Sequence, residues 1–242
     1  VQISARDAVR LAQQKPETVT LCLQARTVKR LSRNVVCELP GAARPDEMIV
    51  FTAHYDSVAN SRGACDNAAG SAALLETVRY FAAHAPQRTM RFVFTGSEER
   101  GLLGSRAYVE AHEDELERMA LEVNVDMGGA TLGTNKIFVT ADDGLRCLAR
   151  AMADETGYLC DVTQDTYSSD SIPFADSGVP AINFARIATP GTLTVTDTAG
   201  GEIGELTVNA GALTVEGGTI EHLYADRYAA TVDITGGTVT GS

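Results

Sequence analysis

The sequence predicts an α/β fold, a mainly parallel or mixed sheet covered on both faces, followed by a β-rich repeat tail. Three observations predict it. Residues up to Pro190 alternate short apolar runs with stretches of helical spacing, as strand–helix alternation does. MIVFTAHY at 48–55 is a continuous apolar run ending in polar residues, the pattern of a buried central strand, and MRFVFTG at 90–96 reads as the next buried strand. Beyond Pro190 the composition changes: residues 191–242 hold no Lys, Cys or Pro, but ten Gly, eleven Thr, seven acids and one Arg.

The elements follow in order. Ile3–Gln14 has helical spacing, with Ala5, Ala8, Val9 and Ala12 available for one face. Thr18–Thr27 and Asn34–Glu38 read as strands. The run at 48–55 is the first central strand. A helix is expected from Asn67 to about His84, with Leu74, Leu75, Val78 and Phe81 inward and Asp66 at its N-cap. The run at 90–96 is the next strand and Gly101–His112 the next helix. ALEVNVDM at 120–127 and KIFVT at 136–140 are strands, Gly144–Thr156 is an amphipathic helix, and VPAINFA at 179–185 is the last strand of the front part. The tail repeats loosely, with TLTV at 192–195, ELTV at 205–208, ALTV at 212–215 and then TVDITGGTVTG. Short Thr/Val strands divided by Gly read as hairpins or as coils of a β-solenoid. Three segments result: 1–33 leading into the core, 34–190 as the α/β domain, and 191–242 as the tail.

Composition sets outer bounds. The chain has 242 residues, of which 44% are hydrophobic, enough for a real core. Its 20 basic and 32 acidic residues give a net charge of −12. That balance argues against a nucleic-acid partner and against an anionic membrane surface. No apolar run approaches the ~20 residues of a membrane helix. The first residues carry no signal-peptide apolar block, so no export signal is expected in this chain. Five cysteines, Cys22, Cys37, Cys65, Cys147 and Cys160, form no CxxC pair and read as free, mostly buried thiols. Free thiols suggest a reducing compartment and the tail composition an exterior one, with the cytoplasm slightly favoured.

The chemistry concentrates at strand ends, where open α/β sheets place their sites. The first central strand ends TAHYDS, with His54 and Asp56. The second ends TGSEERG, with Glu98 and Glu99. The third ends NVDMGG, with Asp126. GACDNAAG places Asp66 at a helix start. Taken singly, each has a bland reading: a core histidine, an N-cap, a solvated charge run, a turn cap. Taken together, four or five carboxylates and one imidazole beside an apolar sheet suit divalent cations, and His nitrogen with Asp/Glu oxygen is a normal zinc set. His84 and His112 read as surface residues. Tyr167, Ser168 and Ser169 lie in a loop that could line a pocket, although an ordinary polar loop is the simpler reading.

The series TAHYDS, GACDNAAGSAALLE, FVFTGSEERGLLGS, VNVDMGG and SSDSIPFADSGVPA resembles the M28 family of zinc aminopeptidases, from about Asn34 to Arg186. The resemblance implies a three-layer α/β/α sandwich, two co-catalytic Zn2+ ions and a peptide substrate with a free N-terminus. By the same resemblance His54 and Asp126 would bind the first ion, Asp66 would bridge both, Glu99 would bind the second, and Glu98 would be the general base. Asp56 would set its carboxylate on the other ring nitrogen of His54.

One part of the pattern departs. The family has a further histidine on the second metal, soon after the GxPA strand. Here the only later histidine is His222, in HLYADRY, with Asp226 four residues on. Either the tail is an insertion from which His222 returns to the metal, or the chain is a chimera or joined fragment and the fifth ligand is missing. The repeat resumes after His222 without a break, which favours the second. Residues 1–33 then read as the end of a preceding region, such as a protease-associated insert. Two other function classes compete with an aminopeptidase: a non-catalytic surface or binding module carried by the tail, and a two-zinc amidohydrolase or cyclase on the same metal set.

Overall fold

The computed structural model describes residues 5–20, 22, 24, 26–59, 61–129, 133–187, 192–196, 203–208, 211–225 and 230–241. Val1–Leu31 form one compact unit and Ser32–Ser242 another. The first unit holds helix α1, Ala5–Gln14. Ile3, the expected start of that helix, lies outside the described residues. The strand expected at 18–27 does not form among the described residues. Val19, Val28 and Leu31 are exposed, and a segment with no partner strand among the described residues lacks the cross-strand pairing that stabilises a strand.

The second unit is built on a seven-stranded sheet. Its strands are β1 (Val35–Leu39), β2 (Arg44–His54), β3 (Arg88–Thr95), β4 (Met119–Val125), β5 (Thr134–Thr140), β6 (Asp161–Thr163) and β7 (Ala181–Ile187). They lie in the order β1-β3-β2-β4-β7-β5-β6. The centre, β3-β2-β4-β7, is parallel throughout. β1 runs antiparallel to β3, and β5 antiparallel to β7. The expected mixed, mainly parallel sheet is therefore present.

Helices α2 (Ala69–Ala83), α3 (Leu103–Ala111), α4 (Asp143–Thr156) and α5 (Ser171–Asp176) complete the layers. Alternation along β2 sorts them. Met48 and Val50 pack with Val93, Tyr108, Val109 and Phe174, on the face covered by α3 and α5. Ala53 packs with Leu74, Met90 and Phe92, under α2. Further along that second face, Val123, Ile137, Val139 and Ile182 pack with Ala149 of α4. Each large apolar side chain removed from water this way contributes about 1.5–3 kcal/mol. The result is the three-layer α/β/α sandwich. A groove of about 820 Å³ opens on the α2/α4 face, lined in part by Phe51, Leu74, Val123, Ile137 and Phe184.

Some local expectations change. Leu75 is 55% exposed rather than inward, because α2 turns only the Leu74–Val78–Phe81 stripe to the sheet. No cysteine is fully buried: Cys22 and Cys147 are exposed and the other three half-buried, all of them free thiols.

Among the described residues the tail forms six strands: β8 (Thr192–Val195), β9 (Ile203–Val208), β10 (Gly211–Val215), β11 (Thr219–Ala225), β12 (Ala230–Ile234) and β13 (Thr238–Gly241). Alternate strands pair, all parallel, into two three-stranded sheets, β12-β10-β8 and β13-β11-β9. Hairpins would pair neighbours antiparallel, so this is the coil arrangement. Leu193, Leu213 and Val232 stand in register in one sheet, and Ile203, Ile220 and Val239 in the other. These six belong to a single apolar core.

Candidate metal centre

Parallel register brings the charged strand ends together. His54, the last residue of β2, pairs with Thr95, the last of β3. Thr52 pairs with Asn124 of β4, which sets Asp126 level with His54 just past that strand. Both are nearly sealed from solvent, at 1% and 4% exposure.

Asp66 arrives from a different direction. Residues Ala64–Ala68 form a tight π-type turn in which Asp66 and Asn67 leave the helical region. Asp66 is not the N-cap of α2: Ala68 stands there, without a side-chain bond. Asn67 does the capping work instead. Its Oδ1 accepts from Gly70 N at 3.0 Å, and its Nδ2 donates to Val125 O at 2.8 Å. A Cβ on Gly70 would meet Val125 O at 2.3 Å, so only glycine allows this approach. Relieved of capping, the Asp66 carboxylate turns to the histidine.

Three groups converge. His54 Nε2 lies 3.1 Å from Asp66 Oδ1 and 3.3 Å from Asp126 Oδ1. One ligand atom from each falls within 4.8 Å of the others. Tetrahedral zinc with bonds of about 2.0–2.1 Å sets neighbouring ligand atoms about 3.3 Å apart, so these residues fit one ion. Glu98 Oε2 is 4.0 Å from the same nitrogen. Glu98 and Glu99 sit on the short turn Glu98–Arg100 after β3. Glu99 stands outside the group of three. Its Oε1 accepts from Val58 N at 3.0 Å, and the charge of Asp66 acts on it.

Asp56 acts through two different groups. Its main-chain carbonyl, not its carboxylate, meets His54 Nδ1 at 3.0 Å, while the carboxylate is 3.7 Å away. The carboxylate accepts from Glu98 N at 3.0 Å. The residue thus fixes the imidazole with its backbone and the Glu98 turn with its side chain. His222 lies on β11, with Nε2 3.9 Å from Glu221 Oε1. It is not in the group formed by His54, Asp66 and Asp126. Asp226 lies outside the described residues. His84 is exposed and stacked on Tyr80, as expected of a surface residue. His112 is half-buried, and its Nδ1 bonds Tyr108 O at 2.7 Å.

The acids around His54 favour positive charge there. Burial opposes charge on His54, but Asp126, Asp66 and Glu98 outweigh it and the ring is pushed up to about 11. Burial, with Asp170, Asp126 and Glu99, pushes Glu98 up to about 7 despite His54. Burial and the charge of Asp66 also raise Glu99. Tyr167 stacks on Phe138, and burial with the charges of Asp126, Asp66 and Glu98 raises its hydroxyl.

Two polar residues just before α5 join the site: Ser169, which the sequence offered as a possible pocket lining, and Asp170, which it did not single out. Ser169 Oγ donates to Asp126 Oδ2 at 2.6 Å and is fully buried, so it holds the carboxylate rather than lining a pocket. Asp170, also fully buried, accepts from Thr95 Oγ1. The one signal for both was their place in SSDS just before an apolar run.

Comparison with known proteins bears on this geometry. The sequence profile of Peptidase family M28 matches residues 34–212. Aminopeptidase YwaD of Bacillus subtilis is 34% identical over 191 residues, which cover 76% of this chain and 41% of that protein. The chain therefore spans less than half the length of this relative. The crystal structure of BSAP, a zinc aminopeptidase from Bacillus subtilis, matches with a TM-score of 0.57 and 32% identity over 63% of this chain and 39% of that one. An Acidobacteriales bacterium glutaminyl cyclase, 24% identical over 66% of this chain and 60% of its own, shares the fold with a TM-score of 0.57.

Proposed function

The chain belongs to Peptidase family M28, and on that premise we propose that it is a metal-dependent aminopeptidase acting on peptides with a free N-terminus. The observation that carries this reading is the convergence of His54, Asp66 and Asp126 with Glu98 beside them. His54 and Asp126 would hold a first zinc, Asp66 would be shared, and Glu99 would reach a second. Bound zinc supplies Lewis-acid polarisation of the scissile carbonyl and acidifies water.

The chain's own residues do the rest. The Asp56 carbonyl on Nδ1 leaves His54 Nε2 as the free donor atom, because a neutral imidazole carries one N–H. The Asp56 carboxylate anchors the Glu98 turn, so the base is presented at a fixed place. Burial raises the Glu98 carboxyl from its ordinary value, the direction that suits a group passing protons near neutrality. Glu98 takes a proton from the attacking water and returns it to the leaving amine. The net −12 charge supports a small peptide partner over nucleic acid. No described helix is long and apolar enough to cross a membrane.

With Asp66 and Glu99 as its protein ligands, the second ion is held more weakly than the first. The test combines zinc titration with a rate. Glu98→Gln lowers hydrolysis of an aminoacyl chromogenic substrate by about 10²–10⁴-fold and leaves the zinc content alone, with one tight and one weak ion in both forms. An unchanged rate removes Glu98 from the base role, and two tight ions would bring His222 to the metal.

A further inference from the structure

Under the α3/α5 face of the sheet, four neighbouring strand positions are polar and sealed. Thr52 of β2, Glu122 and Asn124 of β4, and Asn183 of β7 all have exposures of 1% or less. Register makes them neighbours, with Thr52 opposite Asn124 and Asn124 opposite Asn183. Glu122, two residues before Asn124 on β4, shares its face. Among the described residues no Lys or Arg bonds the Glu122 carboxyl, and its Oε2 has no partner. An ionised carboxylate in that place would lack a counter-charge.

The hydrogen bonds around it have a direction. Asp126, as a metal ligand, is a carboxylate and only accepts. Ser169 Oγ, 2.6 Å from Asp126 Oδ2, therefore donates its single hydrogen there. Ser169 must then accept from Asn124 Nδ2 at 2.7 Å, and the other Nδ2 hydrogen goes to Asn183 Oδ1 at 2.6 Å. That places Asn124 Oδ1 toward Thr52 Oγ1, 2.7 Å away. Thr52 has one hydrogen, and an amide oxygen can only accept, so Thr52 donates to Asn124. Yet Thr52 Oγ1 is also 2.5 Å from Glu122 Oε1. With its hydrogen already given, Thr52 can only accept there, and the donor must be Glu122.

We infer that Glu122 is a neutral carboxylic acid and a positioning residue for Asp126, heading a one-way chain Glu122→Thr52→Asn124→Ser169→Asp126. Complete burial, which raises this carboxyl well above its usual range against the Thr52 bond, agrees with the geometry. The chain holds Asp126 Oδ2 so that Oδ1 faces His54 Nε2. It rests on the reading of Asp126 as a metal ligand.

The test uses the whole chain and two independent readouts. Infrared difference spectra of the zinc-free protein at neutral pH, wild type minus Glu122→Gln, should contain the carbonyl stretch of a protonated acid. Zinc affinity is the second readout. Glu122→Gln retains an N–H donor for Thr52 and should stay within about threefold of wild type. Glu122→Met and Thr52→Val should each weaken zinc by about tenfold, as loss of an outer hydrogen bond to a ligand does. Absence of the infrared band overturns the inference, and so does a Gln variant as weak as the Met variant. If Asp126→Asn leaves zinc affinity unmoved, the metal reading fails and the positioning role with it, while the infrared band still decides where the proton is.

Discussion

The seven-stranded sheet and the tail are both built largely from parallel strands, and they divide the net charge equally, −6 in residues 1–190 and −6 in residues 191–242. In the front sheet the acids stand where three separate strands and one turn release the chain, and register draws them onto one histidine. In the tail, Glu216, Glu221 and Asp233 are exposed. Successive coils there stack like on like, so Leu213 meets Leu193 and Val232. A repeat propagates its own pattern, whereas an α/β sheet brings unlike segments to one edge. Acidity alone therefore says little, and convergence makes the site.

The sharpest way to break this comparison is to remove one acid from each region. Asp66→Ala and Asp233→Ala make the same charge change. The first should lower zinc affinity by about a hundredfold or more, given the large free energy that a full ligand set supplies, and the second should leave it unchanged. Equal losses, read by titration against a chromophoric chelator, would mean that bulk charge holds the metal.

A core substitution in the tail comes next. Leu213, 1% exposed at the centre of the coil core, becomes a cavity in Leu213→Ala at a cost of about 2–5 kcal/mol. Hydrogen exchange of the tail amides should quicken while zinc content holds. Loss of zinc along with tail protection would show that the two regions are energetically one.

The smallest effect expected is a proton count. His54 is pushed up to about 11, so in the zinc-free protein it is charged throughout the neutral range. Zinc needs the neutral ring. Each first ion should release about one proton, and affinity should rise about tenfold per pH unit between pH 6 and 8. Titration calorimetry in buffers of different ionisation enthalpy reads this directly. Heats independent of buffer would place a neutral His54 in the zinc-free site.

Much of the front fold was legible because its strands are continuous apolar runs that need no partner to be noticed. The run at 48–55 overlaps β2, which ends at His54, and MRFVFTG overlaps β3. What failed was short or conditional. β6 has three residues and α5 six, with Pro173 inside it, and neither is long enough to show a period. Thr18–Thr27 has strand composition, but no strand forms there among the described residues. At the site, residue types were readable and contacts were not. Asp66 looks like an N-cap until Asn67 is seen capping in its place. Glu122 and Thr52 lie 70 residues apart, and only strand register reveals that they share a hydrogen bond.

The Asp56 carbonyl on His54 Nδ1 has an evolutionary consequence. A group that belongs to the main chain survives every side-chain replacement, so the tautomer of His54 is shielded from point mutation at position 56. The same residue's carboxylate enjoys no such protection, since any shortening there releases Glu98 N. On the proposed base role of Glu98, drift at this one codon would therefore erode proton transfer before it erodes the capacity to load metal.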